Sequence, residues 1–150
     1  MGVKERIHQR RFDSAAQEAV VGLMVAAAHV EQRLGEVLGP HGITHEQYNV
    51  LRILRGAGAA GLPRCDVAER LVNRAPDVTR LLDRLERRGL IERGRGVDDR
   101  RQSLSRLTPA GAAILDATDA GVEAMARTLT APLGAAGRRQ LSGLLDAIVP

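Results

Sequence analysis

The spacing of apolar residues changes near residue 90, and this change constrains the fold more than any other feature of the sequence. From about Pro76 to Arg88, apolar side chains recur at the spacing of a helix, at positions Val78, Leu81, Leu82 and Leu85. Residues 90–93 and 103–107 instead alternate apolar with polar side chains, as half-exposed strands do. The intervening residues 94–101 contain glycine and are rich in charge. The pattern therefore predicts an amphipathic helix followed by a β-hairpin.

Three helices are expected before this point. Residues 13–38 carry an apolar stripe at spacings of three and four, and Gly39-Pro40 ends it. Thr44 and Gln47 fit a capping box that opens a second helix. After a loop at residues 56–61, Pro63 suits the first turn of a third, short helix. The turn between that helix and the next is expected at Asn73, because asparagine tolerates the left-handed conformation.

Two helices are expected after the hairpin. Thr108 reads as an N-cap and Pro109 as the first helical residue, and the pattern stops near Pro132. A last helix carries leucine and isoleucine from Leu141 to Ile148. The predicted fold class is mainly α with a small β-hairpin wing. Two short helices, a tight turn and a hairpin form a winged helix-turn-helix core at residues 44–107.

The long terminal helices, residues 13–38 and 109–149, carry apolar stripes that the small winged core cannot cover alone. Exposed stripes of this size mark an interface, so we expect the whole chain to be one domain that forms a homodimer through these helices. The alternative is a compact monomer whose terminal helices fold back over the core. Light scattering distinguishes the dimer from the monomer by its mass.

Positive charge is concentrated in one stretch of the chain. Residues 74–106 contain ten Arg and six acidic residues, which gives +4, and the remaining twelve basic and twelve acidic residues cancel. Lys4 is the only lysine, so any basic surface is an arginine surface, suited to phosphates and guanine edges. Phe12 and Tyr48 are the only aromatic residues, which disfavours stacking on single-stranded nucleic acid. These features favour double-stranded DNA as the partner, although a basic amphipathic helix alone is often just a solvated face.

The sequence resembles the MarR family of bacterial transcriptional regulators in two blocks, DVTRLLDRLERRGLIER at residues 77–93 and DRRQSLSRLTPAG at residues 99–111. The family pattern has a recognition helix, Gly-Leu-Ile entering the wing, Asp-x-Arg at the wing tip, and Leu-Thr-x-x-Gly opening the next helix. The resemblance implies that Arg101 enters a minor groove while Asp99 braces the wing. It places the helix that follows Pro76 in the major groove.

The expected DNA-binding residues lie on this helix and on the wing: Arg74, Pro76, Asp77, Thr79, Arg80, Arg84, Arg95, Asp99, Arg100 and Arg101. Pro76 offers an apolar surface to a thymine methyl group. The family often caps this helix with Ser or Thr, whereas the cap candidates here are Arg74 and Ala75. Asp77 in the first turn offsets part of that loss through the helix dipole, so we expect this turn to order fully only on DNA.

The resemblance also implies a pocket for a small-molecule effector between the winged core and the dimer helices. The candidate residues are His29, Arg33, His41, Tyr48 and Arg52. Because aromatic residues are scarce, an aliphatic lining is expected.

No catalytic, metal-binding or cofactor-binding motif is found. No nucleophile lies beside a base, and no glycine-rich loop follows a strand. His41 and His45 are too few ligands for a metal site, and the lone Cys65 is interpreted as structural or incidental. Without a catalytic motif, we do not expect an enzyme. No apolar run reaches the length of a membrane span, and no signal peptide is recognised, so we expect a cytoplasmic protein. A winged-helix module that binds protein rather than DNA remains the alternative.

Overall fold

The computed structural model describes residues 2–74 and 77–149. Its helices are α1 (Val3–Arg6), α2 (Ala15–Leu38), α3 (His45–Ala57), α4 (Arg64–Arg70), α5 (Val78–Arg87), α6 (Pro109–Thr130) and α7 (Gly134–Asp146). Its strands are β1 (Leu62–Pro63), β2 (Ile91–Arg95) and β3 (Ser103–Leu107). Short 3-10 turns follow α2, α3 and α6. None of the described helices is long and apolar enough to cross a membrane. The predicted fold class is confirmed: the chain is mostly helical with a small antiparallel sheet.

The chain divides into two compact units. One contains Val37–Glu123, and the other contains the residues up to Glu36 together with those from Ala124 onward. In the Val37–Glu123 unit, which we call the winged unit, the strands are antiparallel in the order β1-β3-β2. Ile91 lies opposite Leu107 and Arg95 opposite Ser103, so β2 and β3 form the expected hairpin.

The core of the winged unit is aliphatic, as the scarcity of aromatic residues requires. In α3 and α5, branched side chains at helical spacing face inward, while the arginines between them face outward. The largest fully buried apolar side chains of the core are Leu38, Val50, Leu51, Leu54, Val67, Leu82, Leu85, Ile91 and Leu115. These residues fix α5 and the hairpin against α3.

Local signals predict two helix starts correctly. Thr44 Oγ1 accepts a hydrogen bond from Gln47 N at 3.2 Å, and Gln47 Oε1 accepts one from Thr44 N at 3.1 Å, which confirms the capping box. Thr108 Oγ1 accepts from Gly111 N at 3.1 Å, so α6 begins as predicted.

Other predictions are corrected. Pro63 lies in β1 and precedes α4, which begins at Arg64, because its extended backbone pairs opposite Leu104. A loop is predicted at residues 56–61, but residues 56 and 57 belong to α3 and Gly58–Ala60 form a 3-10 turn. Neither α1 nor β1 is expected from the sequence, since four and two residues are too few to show a period.

The second unit exposes much of its apolar surface. No described residue of α7 is buried. In α2, Met24 and Val20 have 66% and 60% of their surfaces exposed. Among the described residues of this unit, the exposed large apolar ones are Val20, Leu23, Met24, Val30, Leu133, Leu141, Leu144, Ile148 and Val149. Within this chain alone these side chains are left facing solvent.

Candidate nucleic-acid interface

Helix α5 has one buried face and one basic face. Val78, Leu81, Leu82 and Leu85 are buried, which fixes the orientation of the helix about its axis. On the opposite side Thr79, Arg80, Arg84 and Arg87 are exposed. The spacing of Arg80 and Arg84 brings them one turn apart. Two guanidinium groups therefore project from the same exposed face.

Asp77 is the N-cap of α5, and this corrects the expected start of the helix. Its Oδ1 accepts a hydrogen bond from the backbone N of Arg80 at 3.2 Å. The helix therefore has a good cap, and Asp77 stands before its first turn rather than inside it. Arg74 is exposed in the preceding bend, and the other cap candidate, Ala75, lies outside the described residues together with Pro76.

The hairpin loop is ordered by its own backbone and by one carboxylate. Gly96 N donates to Gln102 O at 3.0 Å, and Gln102 N donates to Asp99 O at 3.1 Å. Asp99 Oδ1 accepts from Arg101 N at 2.9 Å. This carboxylate is placed to brace the backbone of Arg101, as the resemblance implies.

The wing carries a second group of arginines. Arg95, Arg100 and Arg101 are all exposed. Together with Arg93 and Ser103 they surround a shallow cleft of about 570 Å³. The structure thus brings the three predicted wing arginines together around one cleft.

Arg93 joins the wing to α5. Its Nη2 donates to Asp83 Oδ1 and to Glu86 Oε2, each at 2.5 Å, and its Nε also donates to Glu86. Hydrogen bonding to Glu86, and then to Asp83, raises the pKa of the Arg93 guanidinium. No role is predicted for Arg93 from the sequence alone. We call this three-residue cluster the wing clamp.

A second contact of this kind joins α5 to the start of α3. Arg88 donates to Gly42 O at 2.7 Å and to Gln47 Oε1 at 3.3 Å. Its guanidinium therefore holds the end of α5 in place and is less free for an outside partner than that of Arg84.

A polar cleft of about 480 Å³ lies elsewhere on the winged unit. Its lining residues are His45, Tyr48, Asn49, Arg52, Val72, Asp119, Val122 and Glu123. Burial raises the pKa of Tyr48. Arg52 pairs with Asp119 at 3.3 Å, and Arg55 pairs with the same carboxylate at 2.5 Å. Six of the eight lining residues are polar, and the aliphatic lining expected for an effector pocket stays a prediction.

Of the five predicted pocket residues, the structure brings two together, Tyr48 and Arg52. His41 is exposed in the 3-10 turn after α2 and is not among the lining residues. His29 and Arg33 belong to the other unit, where Arg33 pairs with Glu36 at 2.5 Å.

Among the described residues no group of three or more potential ligands could hold a metal ion. Cys65 is exposed, and its Sγ donates to Asp66 Oδ1 at 3.3 Å.

Comparison with known proteins agrees with this geometry. The family model described as MarR family matches residues 43–103. The homoprotocatechuate degradative operon repressor of Escherichia coli is 30% identical over 109 residues, which cover 73% of this chain and 72% of the relative.

Two solved structures are similar along most of the chain. A mutant of MarR from E. coli complexed with operator DNA is 31% identical with a TM-score of 0.77, covering 85% of this chain and 91% of that one. CouR from Rhodococcus jostii, bound to p-coumaroyl-CoA, is 25% identical with a TM-score of 0.76, covering 91% and 95%.

Proposed function

This chain belongs to the MarR family of winged helix-turn-helix transcriptional regulators, and we propose that it is a repressor that binds a pseudo-palindromic operator in duplex DNA as a homodimer. The observation that carries this proposal is the combination of the arginine face of α5 with the arginine-rich wing, joined by the wing clamp. Because the clamp fixes helix and hairpin together, both can contact one duplex in a set geometry.

We assign the two arginine groups to different grooves. Arg80 and Arg84 on α5 face the major groove and its phosphates, because the width of this groove admits a helix. Arg101, supported by Arg95 and Arg100, reaches a minor groove, where narrow A·T-rich stretches attract arginine. Arg74 and Thr79 are assigned to phosphates, and the thymine contact of Pro76 stays a prediction because that residue lies outside the described part of the chain.

The homodimer is supported by the exposed apolar surface of the second unit. Exposed apolar patches of this kind usually mark an interface, and nine large apolar side chains among the described residues of this unit are solvent-facing in a single chain. A twofold dimer would place two copies of α5 on a duplex about one helical turn apart.

We also propose that the 480 Å³ polar cleft binds a small-molecule effector that releases DNA. Its paired charges favour a ligand with polar groups over a purely aliphatic one, since such a ligand can replace water at Arg52 and Asp119. The proposed activity is binding rather than catalysis, and a protein acting on operator DNA is expected in the cytoplasm.

The test of DNA binding is affinity for duplexes selected from a random pool, measured against salt. Log affinity is expected to fall with log salt with a slope of several units. Arg101→Ala should weaken binding and make the slope shallower by about one unit, since one phosphate or groove contact is lost. Arg139→Ala, an exposed arginine of α7, is the matched control and should change neither quantity.

A winged-helix module that binds protein is the alternative class. It predicts weak association with every duplex and no difference between the Arg101 and Arg139 variants. That result would overturn the assignment of this surface to DNA.

A further inference from the structure

Both carboxylate oxygens of Asp77 are directed at the same residue. Oδ1 accepts from the backbone N of Arg80 at 3.2 Å, and Oδ2 lies 3.6 Å from Arg80 Nε in an ion pair. One side chain thus fixes the first turn of α5 and the side chain that projects from it. Both groups remain accessible, with 60% of the Asp77 side chain and 79% of the Arg80 side chain exposed.

This pairing determines which edge of Arg80 is left for a ligand. With Nε turned toward the carboxylate and 79% of the Arg80 side chain exposed, the outer edge formed by the two terminal Nη groups stays available to a ligand. Two parallel N–H groups in this arrangement match the O6 and N7 acceptors of guanine in the major groove. Restricting the rotamers of a long side chain before binding also reduces the entropy lost on binding.

Resting on the proposed DNA-binding function, we propose that Arg80 reads a guanine in each operator half-site and that Asp77 is the residue that positions it. The chain itself offers a contrast on the same helix face. Arg84, one turn further along, has no ion pair with any described carboxylate and shares the neighbouring cleft of about 280 Å³ with Arg80. An exposed arginine without an ion pair suits a phosphate, which carries no sequence information.

A single-atom change in DNA tests the contact of Arg80. The operator half-site is first defined by selection from a random duplex pool, and each guanine in it is then replaced in turn by 7-deazaguanine, which lacks N7. At one position the wild-type protein should lose about 5-fold or more in affinity. Arg80→Ala should bind the guanine duplex and the 7-deazaguanine duplex with equal affinity, because this variant lacks the side chain that contacts N7. If Arg80→Ala loses as much as the wild type at every guanine, the contact is refuted.

The positioning role of Asp77 is separated from its capping role by two substitutions. Asparagine caps helices as well as aspartate, but its one acceptor oxygen is used by the backbone N–H. Asp77→Asn should therefore keep the unfolding midpoint of the wild type while its preference for the selected guanine falls. Asp77→Ala should lower both the unfolding midpoint and the preference for the selected guanine. An Asp77→Asn protein with undiminished guanine preference would overturn the positioning role.

Arg84→Ala is the matched control, since it should weaken binding to all duplexes by a similar factor and leave the guanine preference intact. Failure of this inference is distinct from failure of the proposed function. If no duplex is bound with salt dependence, the DNA-binding proposal itself fails. If duplexes are bound but no guanine shows coupling to Arg80, only the present inference fails.

Discussion

Gly111 gives a physical reason for the Leu-Thr-x-x-Gly pattern at the start of α6. A Cβ at this position would overlap the backbone oxygen of Leu90 and would lie 2.7 Å from Leu107 Cδ1. The Thr108 hydroxyl donates to Gly89 O at 2.6 Å while it caps the helix. The pattern therefore joins α6 closely to the segment that leads from α5 into the wing.

Replacing Gly111 by alanine should destabilise the protein. Alanine gains up to about 1 kcal/mol in helix propensity, but overpacking against rigid backbone costs about 1–3 kcal/mol. We expect a net loss of about 1–2 kcal/mol in the free energy of unfolding, measured by urea denaturation. Gly56→Ala is the matched control, because Gly56 lies in α3 and a Cβ added there would have no neighbour within 4 Å. An equal effect of the two substitutions would contradict this explanation.

At the scale of elements, the wing clamp decides whether helix and hairpin act as one body. Arg93→Met would leave Asp83 and Glu86 side by side without a cation, so like charges would repel between the two positions. Because the Arg93 side chain is only 29% exposed, we expect a loss of about 1–3 kcal/mol in stability and faster hydrogen exchange in the hairpin.

The control for this prediction is Arg95→Met, on the same strand and exposed. It should leave the free energy of unfolding within about 0.5 kcal/mol of the wild type, even though it weakens DNA binding. If Arg93→Met unfolds at the wild-type urea concentration, the clamp does not contribute to stability.

Helix caps show how far the sequence can predict the elements. The capping box at Thr44 and the cap at Thr108 depend on residues three apart, so their patterns are visible in the chain. The cap of α5 is predicted too early because Asp77 suits either a cap or a first turn, and only backbone geometry separates the two. Strand β1 is not predicted because its two residues are extended only through pairing with distant β3.

The arginines of the candidate site can be predicted from the sequence, but the contacts that hold them in place cannot. Exposed arginines at helical spacing and at a hairpin tip are readable directly from the sequence. The partners of Arg93 are not, because they lie seven and ten residues away on a different element, and contact depends on how α5 packs against β2. The polar cleft depends likewise on Asp119, which is 67 residues from Arg52.

At the scale of the whole molecule, the exposed apolar surface of the second unit predicts association. The wild-type protein should scatter light as a particle of twice the chain mass of 16.1 kDa. Met24→Glu combined with Leu144→Glu places charges on two helices at residues that are 66% and 58% exposed. Since burying an unpaired charge is costly, we expect this variant to be monomeric and folded.

Val97→Glu is the control for the dimer, because Val97 is a 90% exposed apolar residue of the wing and not of the second unit. It should leave the mass unchanged. The monomeric variant should lose most of its affinity for a two-half-site operator but little for a single half-site, since linking two binding modules makes the second contact intramolecular. A wild-type protein that remains at 16.1 kDa while binding the full operator with undiminished affinity would contradict the dimer and would leave the apolar surface to another partner.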